Sequence, residues 1–118
     1  MTIEQCYQEM GGNYAEVCGR LPSQRLVEKF VRKFPEDQSY AELTAAMAAG
    51  NHDVAFRAAH TLKGVAANLS FTKLRTSASE LTELLRTPAD TIPPEAAPML
   101  EAVTRDYEAT IAAIRTLD

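Results

Sequence analysis

The stretch from Asn51 to Leu69, NHDVAFRAAHTLKGVAANL, contains no proline and is rich in residues that favour helix. It predicts one helix of about five turns, with Asn51 as its N-cap. Its apolar residues recur every three or four positions and form one inward-facing stripe: Val54, Ala58, Leu62, Val65 and Leu69, flanked by Ala55, Ala59 and Ala66. His60 lies nearly opposite the centre of this stripe. We therefore expect His60 to face solvent.

The outer face of this helix has an unusual composition. Phe56 lies one turn before His60, Lys63 and Gly64 lie one turn after it, and Ala67 lies two turns after it. A glycine inside a helix costs about 1 kcal/mol relative to alanine, and no turn near Gly64 requires it. Two explanations stay open: a partner approaches the helix closely beside His60, or another helix of the same chain packs against Gly64.

Glycine and proline residues divide the remainder of the chain into further helical segments. A short helix containing Cys6 ends at Gly11-Gly12, and Asn13 with Glu16 predicts a capping box for a second short helix. A longer helix begins at Pro22-Ser23 and extends to about Phe34. Its inward residues are expected to be Leu26, Val27, Phe30, Val31 and Phe34.

Similar signals mark the helices on either side of the His60 helix. Ser39 with Glu42 predicts a capping box for a helix that ends at Gly50, and Thr72 is the predicted N-cap of a helix that reaches about Arg86. The last helix is expected to begin near Glu95. Pro98 then falls in its first turn, where a missing N–H is tolerated.

These segments predict an all-α fold: an antiparallel, up-down-up-down four-helix bundle preceded by two short N-terminal helices. One domain is the expected number for 118 residues. We expect a single domain over residues 1–118, with the short helices in 1–21 and the bundle in 22–118. The antiparallel arrangement follows from the short connections between consecutive helices.

Charge and composition exclude several classes of partner and location. A net charge of -4 argues against nucleic acid or an anionic membrane as the main partner. No apolar run approaches the length needed to span a bilayer, and the N-terminus lacks the pattern of a secretory signal, so we expect a cytoplasmic protein. Cys6 and Cys18 lack CxxC spacing, and both are expected to be buried or half-buried reduced thiols.

The motif around His60 resembles a known family. The sequence HTLKG at 60–64 follows two alanines and precedes Ala66, Ala67 and Leu69, and it is similar to the phosphoacceptor signature of histidine-containing phosphotransfer (HPt) domains. Two positions depart from the family pattern. Ser70 replaces a glycine that usually ends this helix, and Val65 replaces a small residue. Both concern the helix end and local packing rather than the nucleophile.

The residues themselves favour nucleophilic chemistry at His60 over metal binding. There is no HExxH motif, and neither histidine has a Glu three residues before it. His52 lies eight residues from His60 on another side of the helix, so we treat it as an ordinary surface or capping residue. A neutral imidazole can attack phosphorus without a dedicated base, and the Lys63 ammonium can offset charge on the phosphoryl oxygens.

Phosphate cannot come from ATP bound to this chain. The sequence has no GxxxxGK[ST] loop and no acidic pair placed for Mg²⁺. We therefore expect a phosphoryl carrier without ATP binding or autokinase activity and without a cofactor or metal of its own. The phosphoryl group would arrive from, and leave to, the aspartate of a partner that supplies its own Mg²⁺.

The resemblance to HPt domains implies the partners and the residue roles. The partners would be receiver domains of response regulators or hybrid kinases. His60 would be the phosphoacceptor and Lys63 its phosphate partner, while Phe56, Gly64 and Ala67 would form the docking surface. Nothing in the sequence requires a dimer, so we expect a monomer.

Two other functions remain open at this stage. The chain could be a docking module that binds receiver domains or other helices without phosphotransfer, although such a module would not need His60. It could also be a structural helical subunit that packs through the Gly64 face, in which case the exposed histidine is incidental.

Overall fold

The computed structural model describes residues 1–117, and all regular secondary structure in that range is helical. The predicted all-α fold is confirmed. A 3₁₀ turn, Phe34–Glu36, lies between the third and fourth of the α-helices. These helices are α1 (Ile3–Met10), α2 (Tyr14–Arg20), α3 (Gln24–Lys33), α4 (Ser39–Ala49), α5 (His52–Asn68), α6 (Thr72–Leu85) and α7 (Ala96–Arg115).

Helices α4 to α7 form the bundle: α5 packs against α4 and α6, α6 packs against α7, and α1 also packs on α7. The predicted two helices before the bundle are one too few, because α3 belongs with the N-terminal helices. Pro35 lies in the 3₁₀ turn after α3, and its missing N–H separates α3 from α4. Each helix predicted after Pro22 is present within residues 1–117, and these helices number five rather than the four of the predicted bundle. The up-down-up-down direction of the bundle helices stays a prediction.

The N-terminal helices attach to one end of the bundle through hydrogen bonds and aromatic contacts. The Tyr7 hydroxyl donates to the Leu69 carbonyl at 2.6 Å, and the Asn13 amide donates to the Ser70 carbonyl at 2.8 Å. The Tyr7 and Phe34 rings both contact the Phe71 ring, with centroids 5.6 and 5.1 Å apart. These contacts join α1, the 3₁₀ turn and the α5–α6 connection into one continuous core.

Several predicted helix ends are confirmed. Asn13 and Asn51 accept backbone hydrogen bonds as N-caps, and Gly11 and Gly50 end their helices at φ 73° and 71°. The final helix begins at Ala96, directly after Glu95, as predicted.

Two predicted caps are wrong. Ser39 is the first residue of α4 rather than its N-cap, because the Asp37 carboxylate accepts both its amide N–H and its hydroxyl. Thr72 is likewise the first residue of α6, and its hydroxyl turns back toward the Ser70 carbonyl at 3.5 Å. In both cases a local side-chain hydrogen bond takes the place of the expected capping bond.

Two burial predictions on the N-terminal helices are also wrong. Phe30 is 41% exposed, because α3 buries Val27 and Val31 while the Phe30 side chain lies along a surface groove. Cys18 is exposed, since α2 is short and buries Val17 instead, whereas Cys6 is buried as predicted. Both thiols are free.

No helix within residues 1–117 combines the length and apolar character that crossing a membrane would require.

Candidate functional site

Helix α5 places His60 on its outer face by burying the opposite side. Ala55, Ala59, Leu62 and Ala66 are almost fully buried between the neighbouring helices, and His60 is exposed as predicted. The centre of the buried stripe differs slightly from the sequence prediction. Val54 and Val65 are only half-buried. Ala55, Ala59 and Ala66, which flank the predicted stripe, are fully buried, so the side of α5 that carries these alanines faces the core.

The structure brings all five predicted site residues onto one surface, which we call the His60 face: Phe56, His60, Lys63, Gly64 and Ala67. The Phe56 ring is nearly parallel to the His60 ring, with an interplanar angle of 7° and centroids 6.1 Å apart. Lys63 and Ala67 are half-buried. Phe56 therefore flanks the imidazole on one side and limits the directions from which a partner can reach it.

Gly64 lies in open space within the His60 face. A Cβ atom placed on Gly64 would meet no heavy atom within 4 Å outside its own helical turn. The explanation in which another helix of the chain packs against Gly64 thus has no contact to support it. The space beside His60 is available to an approaching molecule.

Two charged residues that were not predicted from the sequence lie near the His60 face: Glu83 in the last turn of α6, and Arg86, which caps the C-terminus of that helix. The Arg86 guanidinium lies 5.5 Å from the centroid of the Phe56 ring, a cation–π distance. Its Nε and Nη2 atoms donate to the Glu83 carboxylate at 3.1 and 3.0 Å. Because α6 packs on α5, residues more than twenty positions after His60 lie beside it. The sequence could have indicated them if the two predicted helices had been placed side by side.

The Glu83 carboxyl responds to several positive groups around it. The pKa of the Glu83 carboxyl is lowered, first by its hydrogen bonds to Arg86 and the Arg86 charge, and further by the charges of Lys63 and His60. Lys63 and His60 therefore lie near enough to Glu83 for their charges to act on its carboxyl.

The C-terminal end of α5 is held by the N-terminal helices. Nη1 of Arg20 donates to the carbonyls of Ala67 and Asn68, each at 2.8 Å, and to the Ser70 hydroxyl at 3.0 Å. Ser70 has a φ of 58°, the left-handed conformation that glycine adopts most easily. Glycine would adopt this conformation at a lower cost, and the Ser70 hydroxyl contacts Arg20 and Glu16.

His52 is the clearest error among the expectations for this helix. The sequence predicts a surface or capping residue, but His52 is only 5% exposed, and neither of its ring nitrogens has a hydrogen-bond partner. Nδ1 lies 3.6 Å from the exposed Asp53 carboxylate. Asn51 performs the capping, so His52 begins the helix with its ring directed into the protein. Residues 1–117 contain no group of three or more His, Cys, Asp or Glu side chains that could hold a metal ion.

The His60 face suits nucleophilic chemistry on an incoming group. His60 is solvent-exposed, and within the described chain no hydrogen bond occupies its ring nitrogens. Lys63 lies one turn away on the same side and can offer an ammonium group to an anionic group on the imidazole. The open space at Gly64 gives a partner access to this side of the helix.

Comparison with known proteins identifies the family of the chain. Searches of curated proteins and of solved structures gave no match. A family model described as "Hpt domain" matches residues 25–116. That range contains α4 to α7 and the whole His60 face. The chain therefore belongs to the family of Hpt domains, which take part in histidine phosphotransfer in two-component systems and interact with receiver domains.

Proposed function

We propose that this protein relays a phosphoryl group between the aspartates of receiver domains through His60. The observation that supports this proposal most strongly is the His60 face itself: an exposed imidazole with both Lys63 and the open space at Gly64 one helical turn away. The match to the Hpt family over residues 25–116 also supports a role in phosphotransfer.

The transfer needs no base from this chain. The ring nitrogen of neutral His60 that lacks a proton donates its electron pair to phosphorus, and an N–P bond forms. The P–O bond to the partner's aspartate breaks, and the aspartate leaves as a carboxylate with the electron pair of that bond. The other ring nitrogen keeps its proton throughout. Lys63 offsets negative charge on the phosphoryl oxygens, and the return step is the same exchange in reverse.

The partner supplies what the His60 face lacks. We propose that a receiver domain of a response regulator or hybrid kinase docks over Phe56, Gly64 and Ala67 and brings its aspartate and its Mg²⁺ to His60. The open space at Gly64 admits a loop of the receiver beside the imidazole. The protein would then act as a monomeric, cytoplasmic carrier that neither binds ATP nor phosphorylates itself.

The alternative is a docking module that binds receiver domains without accepting phosphate. The same surface would serve it, since Phe56, Gly64 and Ala67 offer contact area in either case. It leaves His60 and Lys63 without a purpose, and it gives no reason for the stacking of Phe56 on the imidazole.

A two-step transfer distinguishes these functions. A receiver domain carrying radiolabelled phosphate on its aspartate is mixed with the protein, and the protein is isolated and treated with acid or base. A relay predicts label that is lost in acid and kept in base, and that then moves to a second, unlabelled receiver. A docking module would bind both receivers and acquire no label, and that result would overturn the proposal.

A further inference from the structure

The Glu83–Arg86 pair on α6 contributes little to folding. Both side chains are about half exposed, at 58% and 50%, and they lie three residues apart on one helix. Exposed pairs of this kind contribute roughly 0–1 kcal/mol to stability, because water screens the charges and two long side chains must be held in place. The position of the pair beside the His60 face therefore calls for another explanation.

The Glu83–Arg86 pair lies within electrostatic range of His60, whose charge would change on phosphorylation. Arg86 contacts the Phe56 ring, which stacks on His60, and Glu83 interacts with the charges of both His60 and Lys63. Phosphorylation of His60 would bring negative charge to three oxygens at this point. Glu83 would then repel the new charge and compete for Lys63, whereas Arg86 would attract the charge and partly neutralise Glu83.

We propose that Glu83 and Arg86 set the phosphoryl-transfer equilibrium of His60 with opposite signs. Glu83 disfavours the phosphorylated form, so that the carrier gives up its phosphoryl group readily, and Arg86 limits that effect by holding the Glu83 carboxylate. Both act as positioning residues through charge rather than as groups that bond to phosphorus. This inference rests on the proposed function of His60.

The two variants of the pair give opposite results if the proposal is right. Each variant is mixed with the same radiolabelled receiver domain, and the ratio of labelled protein to labelled receiver is measured at equilibrium, where it does not depend on the rate of docking. Glu83→Gln should raise this ratio about two- to five-fold, and Arg86→Gln should lower it by a similar factor, as expected for one unit charge near a water-exposed site. The effects should decrease at high salt.

If the Glu83–Arg86 pair had only a structural role, the two variants would change the labelling ratio differently from the opposite shifts expected above. Either substitution disrupts the same hydrogen-bonded pair, so loss of structure would move the ratio in the same direction for both variants. Glu108→Gln removes an equal charge from an exposed position on α7 and should leave the ratio unchanged. The double variant of Glu83 and Arg86 should return close to the wild-type ratio.

The failure of this inference can be told apart from the failure of the proposed function. If wild-type protein takes label while both single variants match its ratio, or shift it in the same direction, the charge role of Glu83 and Arg86 is wrong and His60 can still be the acceptor. If wild-type protein takes no label from the receiver, the proposed function is wrong and this inference is overturned with it.

Discussion

At the scale of single residues, Gly64 is unfavourable for the stability of helix α5 but favourable for the proposed docking of a partner. Glycine is the poorest helix former after proline, yet it occupies the interior of α5 in a right-handed helical conformation that any residue can adopt. A side chain at this position would project into open space beside His60. The helix would be more stable with another residue, and we infer that the space is kept for a partner.

Replacing Gly64 tests this interpretation by two readouts with different signs. Gly64→Gln should stabilise the free domain by up to about 1 kcal/mol and raise its melting temperature, because glutamine is the better helix former. The same variant should bind a receiver domain more weakly, since its side chain occupies the docking space. Gly64→Ala is the matched control, with a similar gain in stability and a smaller loss of binding. A lower melting temperature for both variants would mean that Gly64 serves internal packing.

Single residues are also where prediction from sequence succeeded and failed most clearly. The exposure of His60 followed from helical geometry alone, because nearly every residue opposite it is apolar. The burial of His52 and the exposure of Phe30 were not predicted, because neither follows from the helical pattern alone. A histidine at a helix start and a phenylalanine on an amphipathic helix follow average preferences, but their burial depends on which neighbours the fold provides.

At the scale of helices, the orientation of α5 depends on elements far from it in sequence. Its N-terminus is capped by the adjacent Asn51, a local signal that the sequence predicts correctly. Its C-terminus is held by Tyr7 and Arg20, from α1 and α2. These long-range contacts could not be predicted from periodicity, which describes each helix alone. Helix α6 likewise brings Glu83 and Arg86 to the His60 face through packing.

The hydrogen bond between α1 and the end of α5 can be tested by removing one oxygen atom. Tyr7 is fully buried, and its hydroxyl donates to the Leu69 carbonyl at 2.6 Å. Tyr7→Phe should lower the free energy of unfolding by about 1–3 kcal/mol, because it leaves the Leu69 carbonyl without this partner in a buried place. Chemical denaturation measures the change.

The control for that variant is Tyr107→Phe on α7. The Tyr107 hydroxyl makes no hydrogen bond within residues 1–117, so its loss should change stability by less than about 0.5 kcal/mol. Equal effects of the two substitutions would show that the Tyr7 hydroxyl does not hold the end of α5.

At the scale of the whole molecule, the N-terminal helices are part of the same core as the bundle. The family match begins at residue 25, but α1 buries Ile3, Cys6, Tyr7 and Met10 against the remaining helices. From glycine and capping signals the sequence predicted α1 and α2, the end of α1 at Gly11 and the start of α2 after Asn13. It assigned α3 to the bundle, because the length and apolar face of α3 are those expected of a bundle helix, and only the packing shows that its main contacts are with α2 and the 3₁₀ turn.

Burial of Cys6 in this shared core predicts a loss of stability at alkaline pH. Burial raises the pKa of the Cys6 thiol from its ordinary value of 9.0 to about 11, despite the opposing charge of Arg32. The folded protein then holds a proton that the unfolded chain releases, so the contribution of Cys6 is complete below pH 9 and decreases as the pH rises toward 11.

The Cys6→Ala variant isolates this contribution. Between pH 8 and 10.5, wild-type protein should lose about 2 kcal/mol more of its free energy of unfolding than the variant, as a shift of two pKa units implies. Denaturant titrations at the two pH values give the comparison. Parallel pH dependences for the two proteins would mean that Cys6 is accessible to solvent when folded, contrary to the packing of α1 described above.

The central claim is that His60 accepts the phosphoryl group, and the His60→Gln variant tests it most directly. His60 is exposed, so the substitution should change the free energy of unfolding by no more than about 0.5 kcal/mol. Incubation with a radiolabelled phosphorylated receiver domain should label wild-type protein in an acid-labile, base-stable form and leave the folded variant without label. Acid-labile label on the His60→Gln variant would contradict the account and move the acceptor to His52, the only other histidine in the chain.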